Sequence, residues 1–339
     1  MLKNLPDGLP DGLNLFAAHA GWGDAAVEPL PGDASFRRYF RLRRASGEVA
    51  MLMHAPPPQE DPAPFLAVAG WLGSNGLRAP AILAQQAAQG WVLLEDFGND
   101  RVRDWLDERP QDERAVYEGA LAPLVALTRL PAGPWAPYDW AVYLREVRLL
   151  TEWYAPAMGL SVDEAGYDAA WEEALAPMIV RQNAFNATGG VTVLRDYHAE
   201  NIMLLPGGLA DQGLLDFQDA LVGHPAYDLV SLLQDARRDV SPEIESAMIE
   251  HYLAATGFDR ESFLADYALL GAQRNAKIVG IFVRLCRRDG KPRYLDMIPR
   301  VWAAMERDLA HPALAPVARW FADNIPADIR AAHGGRIAA

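Results

Sequence analysis

The chain has 339 residues, 51% hydrophobic and 22% charged, with a formal charge of −14. This length and balance suit a folded globular protein with a large core, in one big domain or two lobes. They argue against a disordered or membrane-spanning chain, since no run of about 18 apolar residues occurs. The negative charge opposes non-specific attraction to nucleic acid or anionic membranes.

The first hundred residues read as a small β-rich lobe. The N-terminus, Met1 to Leu13, is broken by Pro and Gly and lacks the apolar core of a secretory signal, so a cytoplasmic protein is expected. Ser35 to Leu42 is aromatic-rich and alternating, Ala45 to Glu48 is a turn cluster, and Val49 to Met53 is a second strand, which together predict a hairpin. Pro56, Pro57 and Pro58 end that pattern. A short helix follows from Pro64 to Ser74, stopped by Asn75-Gly76. Trp91 to Leu94 is a compact apolar strand leading into Glu95-Asp96-Phe97-Gly98.

From there to about Phe185 the pattern is helical. Ala115 to Leu130 and Trp140 to Tyr154 carry apolar residues at spacings of three and four. Ser161 and Glu164 fit a capping box opening a helix that runs to about Phe185. Val191 to Leu194 and Gly213 to Phe217 are short strands flanking the segment Arg195 to Leu205. After Pro225 the chain is helical almost to its end, and the Ala-rich tail frays. The lone Cys286 can form neither an intramolecular disulfide nor a Cys-based zinc site. Arg284, Arg287 and Arg288 surround it, yet Ile281, Phe282, Val283 and Leu285 mark a packed helical position.

The segment with chemistry in it is Arg195-Asp196-Tyr-His198-Ala-Glu200-Asn201, followed by Asp216 at the end of a strand. Phosphoryl transfer needs a proton acceptor for the nucleophile and hard-metal ligands beside the phosphates; the rest is positioning. Asp196 and Asn201 lie four intervening residues apart, which suits a loop folding both into one cleft. Asp216 can reach the same cleft as a Mg²⁺ ligand. An Asp-x₄-Asn followed by a strand-terminal Asp is the kinase pattern, with Asp196 as proton acceptor and Asn201 and Asp216 on the metal.

On these residues the chain resembles the aminoglycoside phosphotransferase/choline kinase family. The resemblance covers nearly the whole length and includes Gly32 to Arg41, Leu94 to Gly98, the Asp196 loop, and Asp216 to Asp228. Ala34 to Leu42, Gln273 to Lys277 and Gly280 to Arg284 are most similar to its bacterial branch of amino-sugar kinases of peptidoglycan recycling. The resemblance implies an α+β, protein-kinase-like two-lobed fold, with a small β-rich nucleotide-binding lobe over residues 1–97 and a large, mostly helical catalytic and acceptor-binding lobe over 98–339. It implies ATP and Mg²⁺, and transfer to the anomeric hydroxyl of N-acetylmuramate or N-acetylglucosamine. The sugar 1-phosphate would pass to a uridylyltransferase. By matched position, Glu95 to Phe97 would be the hinge to the base, and Gly32 to Ser35 the phosphate-covering turn. Asp228 would cap a helix or brace the catalytic loop. His198, Glu200, Asp219 and His224 are candidate acceptor contacts.

The small lobe departs from the kinase pattern. The strand Val49 to His54 has no Lys and the helix Pro64 to Ser74 has no acid, so both halves of the usual Lys–Glu pair are missing together. Arg38, strand-borne with Phe36 and Phe40, is the candidate replacement. Charge bears on the acceptor as well. Between Gly271 and Arg300 eight basic residues face two acidic ones, a net +6 that leaves −20 for the rest of the chain. On a helix Lys277, Arg284 and Arg288 would form one stripe. With Arg274, such cations favour an acidic sugar over a polycationic aminoglycoside.

Other nucleotide folds and α/β-hydrolases have no motif here, since no Walker-type loop, Gly-x-Gly-x-x-Gly or Gly-x-Ser-x-Gly occurs. His198-Ala-Glu200 mimics a zinc deaminase, but the required second Cys is absent. Three readings stay open: the amino-sugar kinase, a kinase for another small hydroxyl acceptor, and a catalytically dead binding module.

Overall fold

The computed structural model describes residues 9–31 and 36–337. The strands are β1 (Ala26–Pro29), β2 (Arg38–Arg43), β3 (Val49–His54), β4 (Ile82–Gln86), β5 (Trp91–Glu95), β6 (Val191–Val193), β7 (Ile202–Leu205), β8 (Gly208–Leu214) and β9 (Leu221–Gly223). The helices are α1 (Leu13–His19), α2 (Ala63–Ser74), α3 (Val102–Glu108), α4 (Glu113–Arg129), α5 (Trp140–Leu149), α6 (Ala155–Ala157), α7 (Glu164–Ala184), α8 (Ala226–Leu233), α9 (Pro242–Thr256), α10 (Arg260–Asp289), α11 (Ile298–Leu309), α12 (Ala315–Asn324) and α13 (Ala327–Ala331). A π-helical turn, Leu150–Tyr154, links α5 to α6.

These elements form two compact units. One holds the described residues to Trp105 together with Asn201–Asp219; the other holds Leu106–Glu200 and the chain from Ala220 onward. The units therefore do not follow a single cut of the chain, because the β7–β8 hairpin returns to the first.

The first unit is built on a five-stranded antiparallel sheet in the order β1-β2-β3-β5-β4. Phe40 pairs with Leu52 and Leu42 with Ala50, so period-2 alternation places all four on one face. That face buries Leu13, Phe16 and Ala17 of α1 together with Trp22, Trp91 and Leu93. Strands β1 and β4 are edges, which the apolar pattern alone does not reveal: β1 carries Pro29, and β4 is bulged between Ile82 and Ala84.

The second unit is mostly helical, with α10 packed on α5, α8 and α11. Cys286 is buried on α10, in the packed position expected. Two sequence expectations need correction. The N-cap of α7 is Asp163, whose carboxylate accepts from Gly166 N at 2.9 Å; Ser161 lies outside the helix. An Asp beside the first turn is at least as good a cap as a Ser two residues further out. The strand expected over 213–217 is β8, which ends at Leu214, and Asp216 follows it with φ 56°. Left-handed backbone cannot extend a ladder. The two short strands flanking the Asp196 segment take separate partners: β6 pairs with β9, and β8 with β7.

Candidate active site

In the first unit, the β7–β8 hairpin and the chain after it carry the candidate metal ligands. Pairing of Ile202 with Leu214 and the bond from Leu215 N to Asn201 O at 2.9 Å hold the hairpin base closed. Asn201 and Asp216 are thereby neighbours, with Asn201 Nδ2 at 3.4 Å from Asp216 Oδ2. Gln218 Nε2 donates to Asp216 Oδ1 at 2.9 Å. Phe217 stacks on Phe65 of α2 with ring centroids 5.1 Å apart, which anchors the segment next to Asp216. Tyr39 of β2 faces the same charge. Burial raises its hydroxyl pKa, and Asp216 adds to the rise.

This donor set fits Mg²⁺. One exposed carboxylate and an adjacent amide are hard oxygen donors, and such an ion completes its shell with phosphates and water. The Asn201 amide would turn its oxygen to the ion, a rotation the chemistry permits. Among the described residues no cluster of three or more His, Cys, Asp or Glu side chains forms a metal cage. An ion held in part by substrate phosphates does not need one.

The hinge candidates are also in this unit. Arg78 donates to Glu95 Oε2 at 2.7 Å, and Ala81 N reaches the same oxygen at 3.2 Å. The Arg78 guanidinium holds the Glu95 carboxyl below its usual range and lies 4.8 Å from the Phe97 ring centroid. Gly213 lets that ring approach β8, since a Cβ there would sit 2.4 Å from Phe97 Cε2. Glu95 and Phe97 are thus brought together through Arg78.

Arg38 is exposed, stands opposite His54 in the register, and lies 5.2 Å from the Phe40 ring. Its strand position shares the α1-covered face with Phe40 and Leu42, whereas Tyr39 and Arg41 occupy the other face. The buried strand arginine is Arg41. Its guanidinium pairs with Asp96, donates to Asn99 Oδ1 at 2.8 Å, and reaches Gly98 O at 3.0 Å. Sequence reading took Arg38 of the same strand instead, because Asp96, the partner of Arg41, lies 55 residues further along the chain. Ser35 and the phosphate-covering turn lie outside the described residues.

In the second unit, Asp196 sits on a turn fixed from several sides. Arg195 has φ 72°, a left-handed conformation costing about 1–2 kcal/mol for a side-chain-bearing residue. Asp228, buried in the first turn of α8, accepts from Leu194 N at 2.6 Å and Arg195 N at 2.8 Å. This is the brace expected for Asp228. Burial pushes its carboxyl up to about 7, against the pull of those two N–H groups and Arg274. Ser231 Oγ donates to Arg195 O at 3.3 Å, and Arg195 Nη2 donates to Glu146 at 2.6 Å. Glu146 had no sequence signal, being one acid in an amphipathic helix.

The remaining acceptor candidates divide by exposure. Asp219, in the first unit, is exposed. His198 is buried, and its Nε2 faces Arg237 Nη1 at 3.2 Å. Glu200 pairs with Arg237 at 3.0 Å, so one arginine links the two. His224 Nδ1 accepts from Ala226 N at 3.2 Å, and its Nε2 lies 3.1 Å from Asp266, which also pairs with Arg181. Arg274 is buried and donates to Ser231 Oγ at 2.7 Å. Lys277 pairs with Glu146 at 3.0 Å. The α10 stripe is therefore not one exposed basic face: Lys277 is internally neutralised, Arg284 is half-buried, and Arg288 pairs with its neighbour Asp289. A 30-residue helix packed on several elements changes its surroundings along a stripe.

Known proteins share this architecture. A choline/ethanolamine kinase family protein from Mesorhizobium loti superposes with a TM-score of 0.61 at 15% identity, over 91% of this chain and 97% of that one. The fold is thus the α+β, protein-kinase-like one, a small antiparallel sheet lobe with a larger helical part. Two relatives are named N-acetylmuramate/N-acetylglucosamine kinase. The one from Caulobacter vibrioides is 40% identical over 93% of this chain and 96% of its own length. The one from Pseudomonas aeruginosa is 39% identical over 89% and 90%. A family model described as the phosphotransferase enzyme family matches residues 26–264. The chain belongs to that phosphotransferase family.

Proposed function

We propose that this enzyme transfers the γ-phosphoryl group of ATP to the anomeric hydroxyl of N-acetylmuramate, N-acetylglucosamine or both. The observation that carries the kinase chemistry is the adjacency of Asn201 and Asp216 at 3.4 Å. Relatives with the same amino-sugar kinase name, similar over most of their length, support the acceptor.

In this reading Asp196 orients the sugar hydroxyl and takes its proton as the oxygen attacks phosphorus. The αL turn at Arg195, fixed by Asp228, sets where that carboxylate points, so the base needs little reorganisation during reaction. Asn201 and Asp216 would hold Mg²⁺, which neutralises charge on the phosphates. Glu95 to Phe97 supply the hinge backbone for the base, and Arg41–Asp96 stiffens the segment that follows it. Asp219 and Glu200 are the acceptor contacts we favour, because His198, His224, Arg274 and Lys277 already serve internal packing. The small β-rich lobe would bind nucleotide and the helical part the acceptor. Among the described residues no helix is long and apolar enough to cross a membrane, which suits a cytoplasmic enzyme handing its product to a uridylyltransferase.

The test is an acceptor panel with ATP and Mg²⁺, read by phosphorus NMR of the product. The expected result is a sugar 1-phosphate from at least one of the two amino sugars. The reading fails if both stay unphosphorylated while a choline-like amine or an aminoglycoside turns over.

A further inference from the structure

Helices α5 and α10 bring a buried carboxylate and a largely buried ammonium to the side chain of Arg195. Glu146, 6% exposed, uses both oxygens. Oε1 accepts from Arg195 Nη2 at 2.6 Å and stands 3.0 Å from Lys277 Nζ. Oε2 accepts from Tyr138 OH and from Gln273 Nε2 at 3.2 Å. Lys277 Nζ also lies 3.2 Å from Tyr227 OH. Burial alone would raise the Glu146 carboxyl; Lys277 and Arg195 overcome that and hold it down at about 2. One carboxylate against two cations leaves a local excess of +1. Asp196 balances it, since its charge is felt by both Arg195 and Lys277.

A pair this deeply buried is a costly way to gain stability, and apolar residues of similar size would often do as well. Its geometry gives a different reason for it. Arg195 holds a backbone conformation that persists only when its surroundings over-determine it. Asp228 and Ser231 grip the backbone of that residue, and Glu146 grips its side chain. Asp196 is the next residue along.

We propose that Glu146, charge-balanced by Lys277, is a positioning residue for phosphoryl transfer. It tethers Arg195, keeps that residue left-handed, and through it aims Asp196. The proposal rests on the reading of Asp196 as the base.

The test is a mutant cycle in Glu146→Gln, Asp196→Asn and the double variant, with kcat scaled to nucleotide sites counted by calorimetry. A residue acting through Asp196 loses its effect once Asp196 is gone. Glu146→Gln is expected to lower kcat about 10–10²-fold in the parent, the scale of a ~1 Å misplacement, with the Kd for ATP within about 3-fold. In the Asp196→Asn background the further loss is expected to stay below about 3-fold. Equal losses in both backgrounds, or none in the parent, overturn the proposal. If Glu146→Gln binds no nucleotide, the charge-neutral double variant Glu146→Gln/Lys277→Met replaces it in the cycle with the same expectations. A parent that phosphorylates neither amino sugar sinks the acceptor assignment alone. The cycle is then decided on transfer to water, measured as ATP hydrolysis; a parent with no ATP turnover of either kind overturns both.

Discussion

Asp216 and Asp196 belong to turns built on different principles, although each turn contains a side-chain-bearing residue with positive φ. Asp216 is itself that residue, is exposed, and accepts from the neutral amides of Asn201 and Gln218. Neutral amides can be exchanged for an ion at small cost. Asp196 instead follows Arg195, whose backbone and side chain are held by the buried carboxylates of Asp228 and Glu146. Buried bonds of this kind, charge-assisted at Glu146, are expensive to break. The contrast fits the roles proposed for the two turns. A metal-bearing turn has to accept and release an ion with each nucleotide, while a base-bearing turn has to point the same way every cycle.

The comparison breaks most visibly at Asp196. Replacing it with Asn keeps size and the buried brace, so the fold and nucleotide binding are expected to persist. Turnover is expected to fall ~10²–10⁴-fold, the usual weight of a general base. Rates equal to the parent's would remove Asp196 from the chemistry. Asp216→Asn is the next largest, with turnover about 10²–10³-fold lower at limiting Mg²⁺ and partly restored by excess ion. Chelation should silence the parent reversibly. An Asp216→Asn enzyme with the parent's Mg²⁺ dependence would place the ion elsewhere.

The same contrast explains what could be read from sequence. The β2–β3 hairpin, α2, β5 and α4 rest on local periodicity, and the Asp196-to-Asn201 loop on a fixed spacing, so all were legible. Edge strands β1 and β4 were not, because Pro29 and a bulge blur the alternation. Partnerships were the hardest part. Gln273, Arg274, Asn275 and Lys277 look like the polar side of a helix, yet all four sit against groups far away in the chain. Nothing in a local window distinguishes a buried cation with a distant carboxylate from a solvated one. Arg41 was overlooked for the same reason.

His198 sharpens the contrast by the smallest margin, through pH and stability. Burial pushes its imidazole down to about 3, with Asp235 opposing and Arg237 and Arg274 reinforcing. Geometry agrees: guanidinium nitrogens only donate, so the Nε2 facing Arg237 must be the unprotonated acceptor. An unfolded histidine titrates near ~6.5, so between that pH and about 3 the unfolded chain binds the extra proton. Stability from this group is present above ~6.5 and is lost as pH falls, by up to ~1.4 kcal/mol per unit. Asp228, raised to about 7, contributes the opposite slope over much of that window. Glu146, held at about 2, loses its contribution only below the usual carboxylate range. Both terms are common to the parent and to a His198→Gln variant, so the difference between the two curves isolates the imidazole. Urea unfolding from about pH 7.5 down to 4.5 should show the parent losing stability faster than His198→Gln. Parallel curves would mean that the imidazole takes up its proton inside the fold, and that this side of the catalytic loop is as open to solvent as Asp216.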